Sequence, residues 1–579
     1  MSGGGAFVKV HVETHTDALA PSDDVDGGRR RNVRRGPEWS PAADHLRSAR
    51  ARGRVTFLPP PASRRSQTPA MSASAIARAT ARPPASARRA STRVMCRARH
   101  LPTPPRAASS AAPALVTPSG ARLASRADPT PDHRAFREAV LSSLPEGKLA
   151  YVPGGTAQTR NGVEGNARFR QEPNFLYLTG VTEPGYHALF GTGSDAPYVL
   201  IAPRQPKELD VWCGAPMSRD ELRAFHGADI VYYDDEWDKA LHAVDALEGQ
   251  TVFVPTHQRE GEEAKPAPLP NDKDGMFLGL RAEHTALTMA LAKHRAIKTS
   301  AEIDCLRLAN SISGDAHVAA WRHCAVNGGD VFEFEVESVF AAETMRLGLR
   351  HLGYPTIAGA GRNAATLHYE RNDARAAAED LILVDAGAEY RGYTADITRT
   401  FPSGGSFCAM RRDIYDAVLD VQNASIKEMI PNTHYRLVQE LAKTRTAQRL
   451  IDLGLVRGRA EDAAFAGVAS LFMPHALGHL LGLQVHDVGP DGPVPETLVP
   501  GHVVTCEPGI YFVDGLLGPA FEDPKMAEFL NRDAIEKFSR VGGVRIEDNV
   551  AVTPEGFENL TTCPKTVREI EEIMAEAKH

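Results

Sequence analysis

Cysteine is scarce in this chain: seven thiols, at positions 96, 213, 305, 324, 408, 506 and 563, in 579 residues. No two stand in C-x-x-C spacing, which argues against a thiolate zinc site and a thioredoxin motif, and their scatter argues against a disulfide scaffold. A reducing compartment is expected. Long apolar runs are missing as well. No stretch approaches the 18 or so residues that a helical membrane span requires, so no membrane partner is expected. Acidic residues and lysine are wholly absent between positions 45 and 127, where 16 arginines stand.

What is present is unevenly spread. Residues 1–127 carry 22 Lys and Arg against 7 Asp and Glu, leaving 44 against 66 for residues 128–579. The Arg-, Ala-, Ser- and Pro-rich leader buries too little apolar surface to fold by itself. Two readings stand for it. An acid-poor, Arg- and Ser-rich N-terminal segment has the composition of an organelle transit peptide, whereas an Arg-rich tail also suits nucleic acid. Its position and its lack of interleaved aromatics favour transit, so no nucleic-acid partner is expected. The corresponding location is an organelle lumen or stroma, a plastid before a mitochondrion, and otherwise the cytoplasm. Met71 opens the most leader-like part, which leaves residues 1–70 open as an upstream extension.

Folded character begins near Asp128. The runs KLAYVPG (148–154), APYVLIAP (196–203) and TVFVP (251–255) end in Pro or Gly and predict buried strands. SRDELRAF and DDEWDKALHAVDAL between them have helical spacing, so 128–290 is expected to be an α/β domain. The stretch from 283 to 321 predicts a helix, a short connection and a second helix, with Thr299 and Glu302 as its capping box. From the domain boundary, near 285–295, to residue 579 the pattern is two long helices, then strands and hairpins, then a closing helix.

Four stretches of the second domain concentrate His, Asp and Glu beside apolar strands. LILVDAGAEYRGYTADITRTFP delivers Asp385 at a strand end, with Gly387 and Gly392 expected to turn the chain and Asp396 to return on the partner strand. Two carboxylates so placed are costly without a cation. MPHALGHLLGLQVHDVG holds His475, His479 and His486. The first two have i, i+4 spacing but lack the Glu of H-E-x-x-H, and the glycines argue against a regular helix. VVTCEPGIYF leads Glu507 into a Pro-Gly turn. In GGVRIEDNVAVT, strand alternation puts Arg545 and Glu547 on one face. Each piece alone reads equally as a cap, an ion pair or a core histidine. Together, four carboxylates and an imidazole match the charge of two divalent cations. Oxygen-rich ligation without thiolate favours manganese, with zinc or cobalt as alternatives, and two such ions can hold a hydroxide nucleophile at neutral pH.

These segments resemble the metal-dependent peptidases of the pita-bread fold, which include methionine aminopeptidase, aminopeptidase P and prolidase. The resemblance covers residues 128–579. ARFRQEPNFLYLTGVTEPG (167–185) is similar to the N-terminal domain of the prolidase and aminopeptidase P branch, and the stretch 521–574 is similar to eukaryotic prolidase. The resemblance implies an α/β N-terminal domain (128–290) followed by an α+β pita-bread, creatinase- and aminopeptidase-like catalytic domain (291–579). It implies Asp385, Asp396, His479, Glu507 and Glu547 as metal ligands, with Asp396 and Glu547 bridging two ions. Glu507 doubles as the proton shuttle. His368 lies near the scissile bond, His475 and His486 contact substrate and stabilise the oxyanion, and Arg545 orients a ligand carboxylate.

The activity so implied is hydrolysis of the Xaa-Pro bond of dipeptides by a metal-bridging hydroxide, commonly in a homodimer. The alternatives are aminopeptidase P action on longer peptides with proline second, or a binding protein that kept the fold and lost catalysis. One departure bears on this. The stretch after HDVG, from 489 to 509, is short and has no arginine to hold a dipeptide's free carboxylate, and its length resembles that of aminopeptidase P.

Overall fold

The apolar run that opens the folded part becomes β1 (Leu149–Pro153), buried throughout. The computed structural model describes residues 129–579 apart from 194–195, 258–264, 268–275 and 278, so the leader expected at 1–127 lies outside the described residues. β1 sits mid-sheet with β2 (His187–Gly191), β3 (Tyr198–Ala202), β4 (Ile230–Tyr233), β5 (Thr251–Phe253), β6 (Met276–Phe277) and β7 (Leu280–Glu283). Their order is β6–β7–β5–β1–β2–β3–β4. β1 is antiparallel to β2 and parallel to β5. Its alternate residues feed two cores. Ala150 and Val152 pack with α1 (His133–Ser142) and α2 (Pro173–Thr179), while Leu149 and Tyr151 pack on the other side with α4 (Trp237–Ala243). A strand buried on both faces needs an unbroken apolar run, which is what made it legible. The helix expected from SRDELRAF is α3 (Arg219–His226).

Helix α5 (Thr285–Ala296) carries the chain across positions 290–291. Helix α6 (Ser300–Val326) follows, and its capping box forms as expected, Thr299 N–H donating to the Glu302 carboxylate at 2.8 Å. After α7 (Glu333–Arg346) come β8 (His351–Leu352), β9 (Ile357–Ala360), β10 (Leu381–Asp385), β11 (Ala388–Tyr390), β12 (Tyr393–Thr394) and β13 (Thr398–Pro402). Two further long helices, α8 (Ala409–Lys427) and α9 (Tyr435–Asp452), precede β14 (Val503–Cys506), β15 (Gly509–Tyr511), β16 (Gly543–Arg545), β17 (Asp548–Thr553), β18 (Gly556–Asn559) and the closing α10 (Val567–Glu576). The sequence pattern of two helices, then strands, then a last helix omits α8 and α9. The signal of α8 is nonetheless present: Ile414, Val418, Val421 and Ser425 recur at helical spacing and are buried.

These strands form small antiparallel sheets, β8–β11–β12, β9–β10–β13, β14–β17–β18 and β15–β16. One core joins Trp321 and Phe340 of the helices to Ile382, Val384, Phe401, Ile510 and Val544 of the strands. Another joins Phe175 and Leu176 of α2 to Leu306, Tyr393, Leu481 and Leu483. The second core brings the RQEPNFLYLTG segment against the strands and loops that carry the acidic residues.

Candidate metal centre

β10 ends on Asp385, which pairs with Thr398 at the start of β13. Asp396 does not return on a strand as expected; the chain leaves the ladder between β12 and β13. Asn549 replaces the missing ladder partner. Its Oδ1 accepts from Asp396 N–H at 3.0 Å and its Nδ2 donates to Asp396 C=O at 2.5 Å. Gly392 does turn the chain, sharing a two-residue hairpin with Arg391 at φ 85° and 52°, the geometry of a type I′ turn. Gly387 has a different task from the turn expected of it. A Cβ there would stand 1.8 Å from the Ala395 carbonyl oxygen, so glycine is required for the close approach of the two aspartate-bearing segments.

β14 delivers Glu507, after which Pro508 separates it from β15; Glu507 N–H donates to Leu477 C=O at 2.9 Å. The histidine stretch is non-helical around His475 and His479, as its glycines predicted. Gly478 lies against Thr505, whose hydroxyl accepts from His479 N–H at 3.0 Å and donates to Glu507 Oε1 at 3.2 Å. Arg545 closes β16 and Glu547 precedes β17, and both side chains meet Thr398. The Thr398 hydroxyl donates to Glu547 Oε2 at 2.6 Å and accepts from Arg545 Nε at 3.0 Å. Asp548, the next residue, faces the opposite side and binds Arg399 at 2.7 Å, both fully buried.

The ligand atoms of Asp396, His479 and Glu547 all lie within 4.8 Å of one another. His479 Nε2 is 3.4 Å from Asp396 Oδ2 and 3.4 Å from Glu507 Oε1. Its Nδ1 lies 3.0 Å from the Leu480 carbonyl, which orients the ring so that Nε2 faces the carboxylates. Asp385 stands beside them, its Oδ1 accepting from Tyr354 Oη at 2.7 Å and its Oδ2 from Arg545 Nη2 at 2.5 Å. Arg545 also donates to Tyr511 Oη at 2.9 Å.

The histidines differ in burial. His475 has Nδ1 2.8 Å from the Ala476 carbonyl and Nε2 3.0 Å from Tyr511 Oη. A carbonyl only accepts, so Nδ1 carries the proton and Nε2 takes the tyrosine hydrogen. Burial, and then Arg545, hold this imidazole down to about 4, so it is neutral. Its two nitrogens are therefore engaged within the protein. His475 is half-buried, and His368 and His486 are exposed. The His486 ring stands edge-on to His479, with centroids 4.2 Å apart.

The electrostatics favour a cation. Burial, and then the charges of Asp396, Glu507 and Asp385, push the Glu547 carboxyl far above its ordinary range. Burial likewise raises Asp385, and it lifts Glu507 to about 7. Asp396 is the exception, since the His479 bond and charge outweigh its burial and lower it. Carboxylates that repel one another in a buried site are the donor set a divalent cation satisfies. Among the described residues no thiolate competes: Cys506 turns its Sγ toward the Gln422 carbonyl, 4.0 Å away. Tyr354, Thr398, Tyr511 and Asn549 were missed by sequence reasoning. Each is a common polar residue whose role exists only through a partner distant in the chain.

Such a cluster has the donor chemistry that hard or borderline divalent metal ions take. Residues 304–554 match metallopeptidase family M24, and residues 133–253 match the aminopeptidase P N-terminal domain. A probable Xaa-Pro aminopeptidase of Paracoccidioides brasiliensis is 34% identical over 453 residues, spanning 74% of this chain and 92% of that protein. The human Xaa-Pro dipeptidase is 34% identical over 453 residues, spanning 74% and 89%. Among solved structures, Pseudomonas aeruginosa aminopeptidase PepP superposes with a TM-score of 0.65 at 30% identity, covering 77% of this chain and 98% of that one. Zinc-substituted Escherichia coli aminopeptidase P in complex with product gives 0.65 at 28%, with the same coverage. The chain belongs to metallopeptidase family M24, and its fold is an aminopeptidase P-like N-terminal domain followed by a pita-bread domain.

Proposed function

We propose that this protein is an Xaa-Pro exopeptidase, hydrolysing the bond between an N-terminal residue and proline. The observation that carries the reading is the convergence of Asp396, His479 and Glu547 on one point, with Asp385 and Glu507 beside them. Asp385, Asp396, His479, Glu507 and Glu547 would hold two divalent ions, and manganese suits the oxygen-rich set best. Bound there, the ions supply Lewis acidity and a nucleophile drawn from water near neutral pH.

The remaining work falls to the chain itself. Glu507 lies on the more open side of the cluster, between His479 and His475, and is placed to move a proton from the attacking water to the proline nitrogen. His486 and His368 face the open side and contact the substrate. His475 serves through Tyr511, which ties it to Arg545 and so to Asp385. The bond before proline is a tertiary amide without an N–H, so a site that polarises the carbonyl and never grips that hydrogen suits it.

Dipeptides are the first substrate class. One observation favours the second, longer peptides with proline at position two: residues 489–501 offer no arginine for a dipeptide's free carboxylate. The test is turnover of a Xaa-Pro dipeptide beside a Xaa-Pro tripeptide by manganese-loaded protein. Preference for the tripeptide selects the aminopeptidase reading. Cleavage of neither, or cleavage that survives exhaustive chelation, removes the proposal. The Arg-rich leader is taken as a transit segment; a mature N-terminus beginning within it, read from protein isolated from cells, is the corresponding check.

A further inference from the structure

His486 is exposed, yet the residue after it is among the most deeply held in the molecule. Asp487 is 2% exposed. Its Oδ1 accepts from Arg295 Nη2 at 2.5 Å and its Oδ2 from Lys298 Nζ at 2.9 Å. Arg295, equally buried, extends its planar fork to Gln484 Oε1 at 2.8 Å and to Asn174 Oδ1 at 2.7 Å. Asn174 belongs to α2, in the RQEPNFLYLTG segment, so one guanidinium joins three distant parts of the chain.

The loop between the two histidines closes on this anchor. Asp487 N–H donates to Leu480 C=O at 2.9 Å, pairing the residue after His479 with the residue after His486. The loop interior is filled: a Cβ on Gly482 would lie 2.2 Å from Asp487 Oδ2. Arg170 Nη2, also from the N-terminal segment, donates to Leu483 C=O at 2.5 Å, and Thr394 N–H donates to Gly482 C=O at 3.0 Å. With the Asp487 carboxylate clamped inward, the adjacent imidazole is exposed and stands edge-on to His479, ring centroids 4.2 Å apart.

We infer that Asp487, clamped by Arg295 and Lys298, is a positioning residue that sets the orientation of His486 over the metal cluster, and that Asn174 carries this anchor into the N-terminal domain. The N-terminal domain thereby shapes the catalytic rate without contributing a group to the chemistry. The inference rests on the reading of His486 as a substrate-contacting residue.

The test combines N174A and R295K with H486A. R295K keeps the charge but loses the planar fork that serves three partners, and N174A removes one partner while leaving the ion cluster intact. In each single variant, kcat on a Xaa-Pro tripeptide is expected to fall about tenfold, a cost typical of slight misplacement of a reacting group. KM and metal content should stay near wild type. In metal-free protein the Asp487 amide should exchange its hydrogen faster than in wild type. In the H486A background the same substitutions should cost nothing further, because residues acting through one another are not additive. Wild-type kcat in both single variants, unchanged exchange at Asp487, or the same loss with and without His486 would overturn the inference. Wild-type turnover by H486A alone would overturn the reading beneath it, and the exchange data would still report whether the anchor holds the loop.

Discussion

Thr398 donates its hydroxyl hydrogen to Glu547 across a separation of 149 residues, at 2.6 Å, and both side chains are buried. The same oxygen accepts from Arg545, whose far end holds Asp385. One hydroxyl thus links the two ends of the acidic cluster and fixes the direction of each carboxylate before any metal arrives. T398V, close in shape, strands a buried carboxylate and a buried guanidinium one partner short. It should lower metal affinity by about 10- to 100-fold and stability by about 1–3 kcal/mol. Metal titration and chemical denaturation read the two effects.

Removing a carboxylate from the centre of the cluster should be more severe. D396A and E547A are each expected to lose both turnover and bound metal, measured by peptide hydrolysis and atomic absorption. Metal should also stabilise the wild-type fold by mass action, adding about 2.7 kcal/mol at a hundred times its dissociation constant. Neither variant should show that gain in thermal unfolding. Wild-type turnover with full metal content in either variant would remove these residues from the site.

Gly387→Ala adds one methyl group where 1.8 Å separates its position from a backbone oxygen. The segments carrying Asp385 and Asp396 must then part. The expected result is loss of metal binding in a protein that keeps its helical circular dichroism. An alanine variant with native metal content would show that the gap can open harmlessly.

Asp487 supplies a pH dependence away from the cluster. Burial alone would raise its pKa, but Lys298 and Arg295 outweigh burial and hold it below the ordinary value. A depressed folded-state value means stability that is fully present above the unfolded-state pKa, about 3.9, and that drains as pH falls through the lower folded-state value. Wild-type protein should therefore lose stability below about pH 4. D487N should be weaker by about 3–5 kcal/mol at neutral pH, because two buried cations lose their counter-charge, and its profile across the acid range should be flatter. Denaturant midpoints at several pH values test both points.

Much of the fold was legible because burial writes itself into local pattern. Runs such as 149–153 and 198–202 are unbroken because their strands are covered on both faces, and Thr299 with Glu302 announced α6 through bonds only three residues long. Helices α8 and α9 passed unremarked beside louder motifs. Gly387 was read as a turn because sequence shows that a position is small and not why.

The amino-acid sequence was enough for the inventory of the site: which carboxylates and imidazoles cluster beside apolar strands, and how much charge they carry. It also determined the kind of elements that present them, since hydrophobic period and capping are local. Only the tertiary structure decided how those groups are aimed. It broke the strand at Asp396 and put Asn549 there, engaged both nitrogens of His475, and buried Asp487 beside an exposed His486. The physical reason is that a hydrogen bond's direction depends on both partners, several of which here lie far apart in the chain, and no local pattern encodes the moment when folding brings them within about 3 Å of each other.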